Sequence, residues 1–421
     1  MSTASLDTAR MHDVIVVGGG PAGMMAAVAA AEYGASVLLL EGNERLGKKL
    51  NITGKGRCNV TNNCSVEELL QSIPRNGKFL YSAFSQFDSA DTITFFTRRG
   101  VPLKTERGNR VFPQSNRAFD ISGALEKYLR ELGVKLVRDR AQALLVEDGT
   151  LTGVKGERGR YRGRGVVVAT GGVSYPLTGS TGDGYRLARS VGHTVVEPRG
   201  SLVPLCASGE LCRRLQGLSL RNVALRVYEE KDLLYEDFGE LLFTHFGVSG
   251  PLVLSASAHM RRFGQVGYRL EIDLKPALDE QTLDRRLVSD FAKHANSDFV
   301  NAFDELLPKK LIEPFVELTG VAPRQKVHDL TREQRRRVGA LLKALPVSVT
   351  GPRPVAEAIV TSGGVAVGEV NPSTMASRLL PGLYFAGEVL DVDGYTGGFN
   401  LQIAWSTGHL AGASAAQALW R

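Results

Sequence analysis

The stretch Val14-Ile15-Val16-Val17-Gly18-Gly19-Gly20-Pro21-Ala22-Gly23, followed by an Ala-rich run and then Val37-Leu38-Leu39-Leu40-Glu41, decides the fold. It reads as strand, tight turn, helix, second strand and terminal acid, the pattern of a dinucleotide site. Each position has a mechanical task. Gly18 permits the turn, Gly20 lets the backbone approach a pyrophosphate, and Gly23 lets the helix sit close to the strand. Pro21 and Ala22 open the helix, whose first N–H groups and dipole favour two phosphates. Glu41 falls 18 residues after Gly23, and Gly42 follows it. At a strand end its carboxylate can accept both ribose hydroxyls of an adenosine and would repel a 2′-phosphate. The pattern therefore fits FAD or NAD, not NADP, as the first ligand.

Working outward, two further segments repeat the form of a buried strand ending in glycines. They are Val166-Val167-Val168-Ala169-Thr170-Gly171-Gly172 and Leu383-Tyr384-Phe385-Ala386-Gly387-Glu388. In an open parallel sheet the carboxyl ends of strands line one edge, where ligands bind. Gly387 and Glu388 can meet the pyrophosphate and ribityl chain of a long cofactor. Gly397 and Gly398 then open a helix from Phe399-Asn400-Leu401. Its N-terminus, aimed at the flavin N1–C2=O region, would stabilise the charge of the reduced ring. NAD alone has no use for this second, distant contact, so the reading is FAD.

Composition is that of a globular chain of 421 residues with 43% hydrophobic and 23% charged residues, enough for two or three domains. No apolar run approaches the roughly 18 residues that span a bilayer. The first residues lack a secretory apolar region, and a cytoplasmic location with no membrane partner is the expectation. Cys58, Cys64, Cys206 and Cys212 form no C-x-x-C pair. That argues against a redox disulfide and a four-thiolate zinc site, and the histidines lack ligand spacing, so no metal is expected. The net charge of +7 is concentrated: residues 98–164 hold 16 basic and 8 acidic side chains, with Arg158, Arg160, Arg162 and Arg164 alternating in one stretch. Such a stretch is either a solvated face or a surface for RNA or an anionic substrate.

Residues 43–64 form a long Gly/Asn/Lys-rich segment without periodicity, containing Lys48, Lys49 and Thr53-Gly54-Lys55-Gly56-Arg57-Cys58-Asn59-Val60-Thr61-Asn62. A loop of this length within a compact domain points to function. Lys48, Lys49 and Arg57 are candidate partners of the pyrophosphate or the reduced ring. Asn59 and Thr61 are candidate donors to flavin carbonyls. Cys58 lies over the ring or acts as an acid. The period then changes. Residues 195–276 and 346–354 read as a β-barrel-like domain and 277–345 as a small helical insert, leaving 1–194 and 355–421 as two pieces of one domain.

These motifs, together with Leu241-Leu242-Phe243-Thr244-His245-Phe246-Gly247-Val248-Ser249-Gly250-Pro251 and Gly394 to Gln402, resemble the BaiN-like (YhiN-like) NAD(P)/FAD-dependent oxidoreductases over nearly the whole chain. Thr53-Gly54 stands where other members often have Ser-Gly. The resemblance implies an α/β fold: a Rossmann-type FAD domain in two sequence pieces, an inserted β-barrel domain and a small helical domain. It also implies several possible reactions, because members are described as reducing a C=C bond conjugated to a carbonyl in steroid-like acids, oxidising a small amine, or reducing uridine in ribosomal RNA.

Three activities thus stay open: a reductase of a carbonyl-conjugated C=C bond, an oxidase of a small amine or hydroxy acid, and an RNA-binding flavoprotein with structural FAD. His245, Cys58 and Tyr395 are the candidate proton donors, with Tyr175 as a further acid. No second G-x-G-x-x-G follows residue 170. NAD(P)H, if it is the electron donor, would therefore dock transiently. The substrate, small molecule or RNA, and the oligomeric state are open.

Overall fold

The computed structural model describes residues 10–420. They form two compact units: the chain through Ser201 together with the chain from Val355, and Leu202–Pro354. The first unit is built on a seven-stranded sheet. Its central strands are β1 (Met11–Val17) and, much later in the chain, Arg160–Val168, paired in parallel. Helix α1 (Pro21–Glu32) leads from β1 to β2 (Val37–Glu41), which lies parallel on β1's other side, with Lys135–Arg138 beyond it. Val14 to Val17 and Val37 to Leu40 are all buried. Such continuous apolar runs are what a parallel strand covered on both faces requires.

We label Thr61–Asn62 β3, Arg160–Val168 β4 and Leu383–Phe385 β5. The first half of β4 pairs antiparallel with Thr150–Gly156, and its second half pairs in parallel with β5. Both halves of one edge are thus used, and the glycine-bearing ends of β1, β4 and β5 come side by side. The expected two-piece Rossmann architecture is what the structure contains.

The last helix, α2 (Phe399–Gln417), is neither polar nor amphipathic. It reads as an Ala/Gly-rich helix buried all round, and it crosses α1 at contact distance. A methyl group at Gly408 would overlap the Ala22 carbonyl, and one at Gly412 the Ala26 carbonyl. Two small-residue faces, Gly408/Gly412 and Ala22/Ala26, let the backbones approach this closely.

The second unit contains a closed barrel in the order Leu205–Ala207, Gly247–Ser249, Asp232–Phe243, Ser219–Glu229, Tyr268–Asp273 and Leu345–Pro352. The helices within 277–345 do not make a separate core: Leu283, Leu287, Phe303 and Phe315 share one cluster with Leu225, Leu270 and Ile272 of the barrel. The expected boundary at residue 195 falls one strand early. Val195–Ser201 pairs antiparallel with Val360–Val365 and belongs to the first unit. Composition alone could not show this, because a short β segment reads alike in either domain. Among the described residues no helix is long and apolar enough to cross a membrane, and no group of three His, Cys, Asp or Glu could hold a metal.

One buried polar cluster ties Val360–Val370 to the sheet and sets an acid limit on stability. The His193 side chain is fully buried against Phe385. Its Nε2 lies 2.7 Å from Ser377 Oγ and its Nδ1 3.1 Å from Glu369 Oε2. Ser377 Oγ accepts from the Leu379 and Leu380 amides, so its proton goes to Nε2, and Nδ1–H donates to Glu369. Burial holds the imidazole pKa below its ordinary 6.5 although Glu369 pulls the other way. Above that value the folded and unfolded chains are both neutral at this site. As pH falls through it, the unfolded chain takes the proton first, so stability declines. The melting temperature is expected to drop between pH 7.5 and pH 5.5, with a shallower drop in His193→Gln. His409, depressed by burial in the same direction, keeps its own share of the slope.

Candidate functional site

The glycine turn after β1 has one open and two closed positions. Gly18 has φ +106° and sits against the Ala169 carbonyl, and a methyl group at Gly23 would overlap the Gly18 carbonyl oxygen. These two glycines hold strand, turn and helix together. Gly20, the N-cap of α1, has φ −79°, and a Cβ there would meet nothing within 4 Å. Pro21 takes the first helical position, where its missing N–H costs nothing. A turn that is rigid on both sides with open space over its middle residue is what a pyrophosphate needs.

Glu41 ends β2, and its carboxylate is already oriented. Oε2 accepts from the Gly19 amide at 2.6 Å, and Oε1 from the Asn43 amide at 2.7 Å. Oε1 also accepts from Asn43 Nδ2 at 2.7 Å, so it is Oε2 that keeps a lone pair for a ribose hydroxyl. Gly42 is exposed beside Arg140. On the third strand, Gly387 has φ +75° and abuts Ala22 at the start of α1, and its N–H donates to Thr407 Oγ1 at 2.9 Å. The first and third strand ends therefore meet at one place.

The long loop closes over the same edge and is strained. Gly54, Lys55, Gly56 and Cys58 all lie in the left-handed region, at φ +56°, +59°, +82° and +59°. For Lys55 and Cys58 that conformation costs about 1 kcal/mol or more each. Cys58 is fully buried, and burial pushes its thiol up to about 12. It is a neutral packing group under the loop, not an easily ionised acid. Asn59 Oδ1 is buried without a hydrogen-bond partner. It is an acceptor left for a donor that the described residues do not supply.

The two lysines separate. Lys48 is exposed. Lys49 reaches across to Glu388 (2.8 and 3.0 Å) and Ser174 Oγ (2.6 Å). Glu388 accepts from the Thr361 amide as well. One half-buried ion pair thus joins the loop, the β4 end, the Val360–Val365 strand and the β5 end. Arg57 is drawn away from this edge. It pairs with Glu106 and Asn116 and stacks on Phe112, 4.1 Å from the ring centroid.

Several side chains expected to face a cofactor have other tasks. The Thr61 hydroxyl is fully buried and donates to Gln402 Oε1 at 2.6 Å, so its one proton is committed within the protein. The Thr170 hydroxyl is buried beside Gly184 with no hydrogen-bond partner among the described residues, and Gly172 is packed against Thr361 and Glu388. Asn400 closes the preceding turn by accepting from the Gly394 amide and donating to the Gly394 and Tyr395 carbonyls. Gly171 keeps a left-handed φ of +73° beside Ser180. Gly397 and Gly398, at φ +124° and +104°, turn the chain into α2, and Phe399 and Leu401 are half-buried there. Tyr395 is half-buried with its amide bonded to Ser72 O. Tyr175 is held at φ +51° with its amide on Ala356 O. His245 belongs to the second unit, exposed on the turn between two barrel strands, its ring edge-on to Phe246.

Sequence reading missed Thr361, Ser174 and Gln402. The signal for Gln402 was present: an uncharged polar residue set among Leu401, Ile403, Ala404 and Trp405 of an Ala/Gly-rich helix. Thr361 and Ser174 had no such signal, since both sit among ordinary turn and strand residues. The residues present fit FAD. The open turn at Gly20, the oriented Glu41 carboxylate, the Gly387 junction and the unpartnered Asn59 oxygen would meet its pyrophosphate, ribose and ring.

Residues 12–414 match the family described as HI0933-like protein Rossmann domain. A 3-dehydro-bile acid delta(4,6)-reductase of Clostridium scindens is 32% identical over 97% of this chain and 100% of its own length. A ribosomal RNA dihydrouridine synthase of Escherichia coli is 32% identical over 94% of this chain and 96% of its own. Among solved structures, the 3-ketosteroid-delta4-(5alpha)-dehydrogenase of Rhodococcus jostii RHA1 superposes with a TM-score of 0.55 at 17% identity, covering 99% of both chains. At that identity the likeness speaks for the fold alone. The chain therefore belongs to the HI0933-like (BaiN-like) Rossmann family and is an FAD-dependent oxidoreductase of it.

Proposed function

We propose that this chain reduces a C=C bond conjugated to a carbonyl, with NAD(P)H as the electron donor. The observation that carries the reading is chemical. Two relatives that match nearly the whole chain are named for very different substrates, a 3-dehydro-bile acid and a uridine of ribosomal RNA. A double bond polarised by a neighbouring carbonyl is what those substrates share. FAD, when bound, supplies the two-electron store and the hydride. This chain's residues orient the ends of the cofactor, exclude water beneath the 54–58 loop, and supply a proton to the substrate α-carbon. Tyr395 is the candidate donor in the first unit, since its backbone is pinned on both sides. His245 is the candidate in the second, and Cys58 is disfavoured by its raised pKa.

Anaerobic stopped-flow tests the reading. Flavin bleaching by NADH or NADPH, followed by reoxidation with an enone or a uridine-containing RNA fragment, is the expected result. Bleaching by an amine or hydroxy acid alone, with peroxide formed on admitting air, would replace it with the oxidase reading. Tyr395→Phe and His245→Asn then identify the proton donor through the pH dependence of reoxidation.

One surface favours a polymeric substrate over a free one. Arg160, Arg162 and Arg164 are exposed on β4 and alternate with buried Tyr161 and glycines. Exposed Lys155 lies directly opposite Arg160 on the neighbouring strand. Like charges placed so repel, and among the described residues none of these four, nor Arg158, forms an ion pair. A phosphate backbone would relieve that repulsion. Replacing Arg160, Arg162 and Arg164 by Glu is expected to reduce RNA affinity and lower its log–log salt slope by about 0.7–0.9 per lost phosphate contact. Unchanged RNA binding would make the stripe a solvated face.

A further inference from the structure

The Gln402 amide makes all four of its hydrogen bonds inside the first unit, and nothing in the dinucleotide pattern requires it. It is fully buried one turn into α2. Its Oε1 accepts from Thr61 Oγ1 at 2.6 Å and from Thr92 Oγ1 at 2.9 Å. Its Nε2 donates to Phe87 O at 3.1 Å and to Ser406 Oγ at 2.9 Å. The Phe87 carbonyl can only accept, which fixes which end of the amide is which. Beside it, Trp405 Nε1 donates to Val60 O at 2.9 Å, and the Gly398 backbone is pressed so closely on Thr61 that no side chain fits between them.

We propose that Gln402 is a positioning residue of the flavin site. By binding Thr61 of β3 and Thr92 of the helix Ser89–Arg98, it fixes the direction in which the first N–H groups of α2 (Phe399, Asn400, Leu401) face the cofactor ring. The inference rests on the FAD reading of the site. By helix geometry those N–H groups have no acceptor within the helix, and their pull on a negative ring falls off within a turn. Their effect therefore depends on angle and distance. An apolar side chain would fill the same space without the desolvation cost of an amide and two hydroxyls. What the polar cluster adds is one orientation, because two donors and two acceptors from four segments converge on a single planar group.

The local bonding also yields a clean variant. In Thr61→Val/Gln402→Leu, Thr92 Oγ1 still has Asp88 O at 3.0 Å, and Ser406 Oγ still donates to Phe87 O at 2.6 Å. Of the neighbouring hydroxyls only that of buried Ser89, 3.2 Å from Thr61 Oγ1, loses its partner, a cost that the melting temperature reads. The double variant is expected to fold and to retain FAD. Its affinity for the reduced cofactor should fall about tenfold more than its affinity for the oxidised one, a potential lower by about 30 mV for a two-electron couple. Thr61→Ser, which keeps the hydroxyl, should hold the wild-type potential. The measurements are the reduction potential by dye equilibration, FAD content and the melting temperature. A wild-type potential in the double variant would overturn the proposal, as would loss of FAD together with unfolding, which would make the cluster a structural tie only. Wild-type protein that purifies without FAD would instead sink the reading of the site itself.

Discussion

Gly20→Val is expected to yield a folded protein that has lost FAD. The two halves of that result have separate causes. A Cβ at Gly20 meets nothing within 4 Å, and φ of −79° suits any residue, so the substitution breaks no packing. Its cost to the fold is that of a poorer N-cap, about 1 kcal/mol, or about 2–4 °C in a unit of this size. The open space is the place assigned to the pyrophosphate, and valine fills it. A loss of about 3 kcal/mol in binding corresponds to an affinity about 100-fold weaker. The check is flavin absorbance of the purified variant beside the melting temperature of the apo forms. A yellow Gly20→Val protein with normal FAD content would show that the phosphates do not lie over this turn.

Gly412→Val, the same substitution at a glycine inside α2, should fail at the fold instead. Any Cβ at Gly412 overlaps the Ala26 carbonyl oxygen, and the obstacle is backbone, which cannot rotate away. The two helices must separate, and with them the buried faces of α1 and α2. Overpacking of this kind costs about 1–3 kcal/mol and more when backbone must move, against a total stability of about 5–15 kcal/mol. A fall of about 10 °C in the melting temperature, or insoluble expression, is expected. On the proposed reading, in which α1 begins at the phosphate turn and α2 faces the ring, FAD would be lost as a consequence. A Gly412→Val protein with an unchanged melting temperature would contradict the close crossing.

These glycines mark where a sequence reading stops. Gly18, Gly20 and Gly23 could be assigned separate tasks in advance, because spacing within one turn is local and the backbone requirements of that turn are few. Gly408 and Gly412 read only as parts of an Ala/Gly-rich helix. Their partner face, Ala22 and Ala26, lies almost 400 residues earlier. Lys48 and Lys49 make the same point on a smaller scale. As neighbours they look alike, yet only Lys49 reaches Glu388, and that choice depends on where the loop crosses the β5 end. Thr61 and Asn400 read as groups free to meet a cofactor. Their hydroxyl and amide, however, were spoken for by Gln402 and by the Gly394 turn, a matter of which polar group finds a partner first when burial leaves none unmade.

What the amino-acid sequence determined by itself is everything that depends on short range. The strand–turn–helix–strand–acid unit, the three strands ending in glycine, the barrel's short alternating strands and the membership of a flavoprotein family could all be read from residues within a few positions of one another. Local backbone sterics and the side-chain period dictate those features. Tertiary structure alone decided which unit owns Val195–Ser201, which lysine pairs with Glu388, and which buried groups meet Gln402. Each of those outcomes is a competition among groups distant in sequence for the same buried partner, and only the folded chain brings the competitors together.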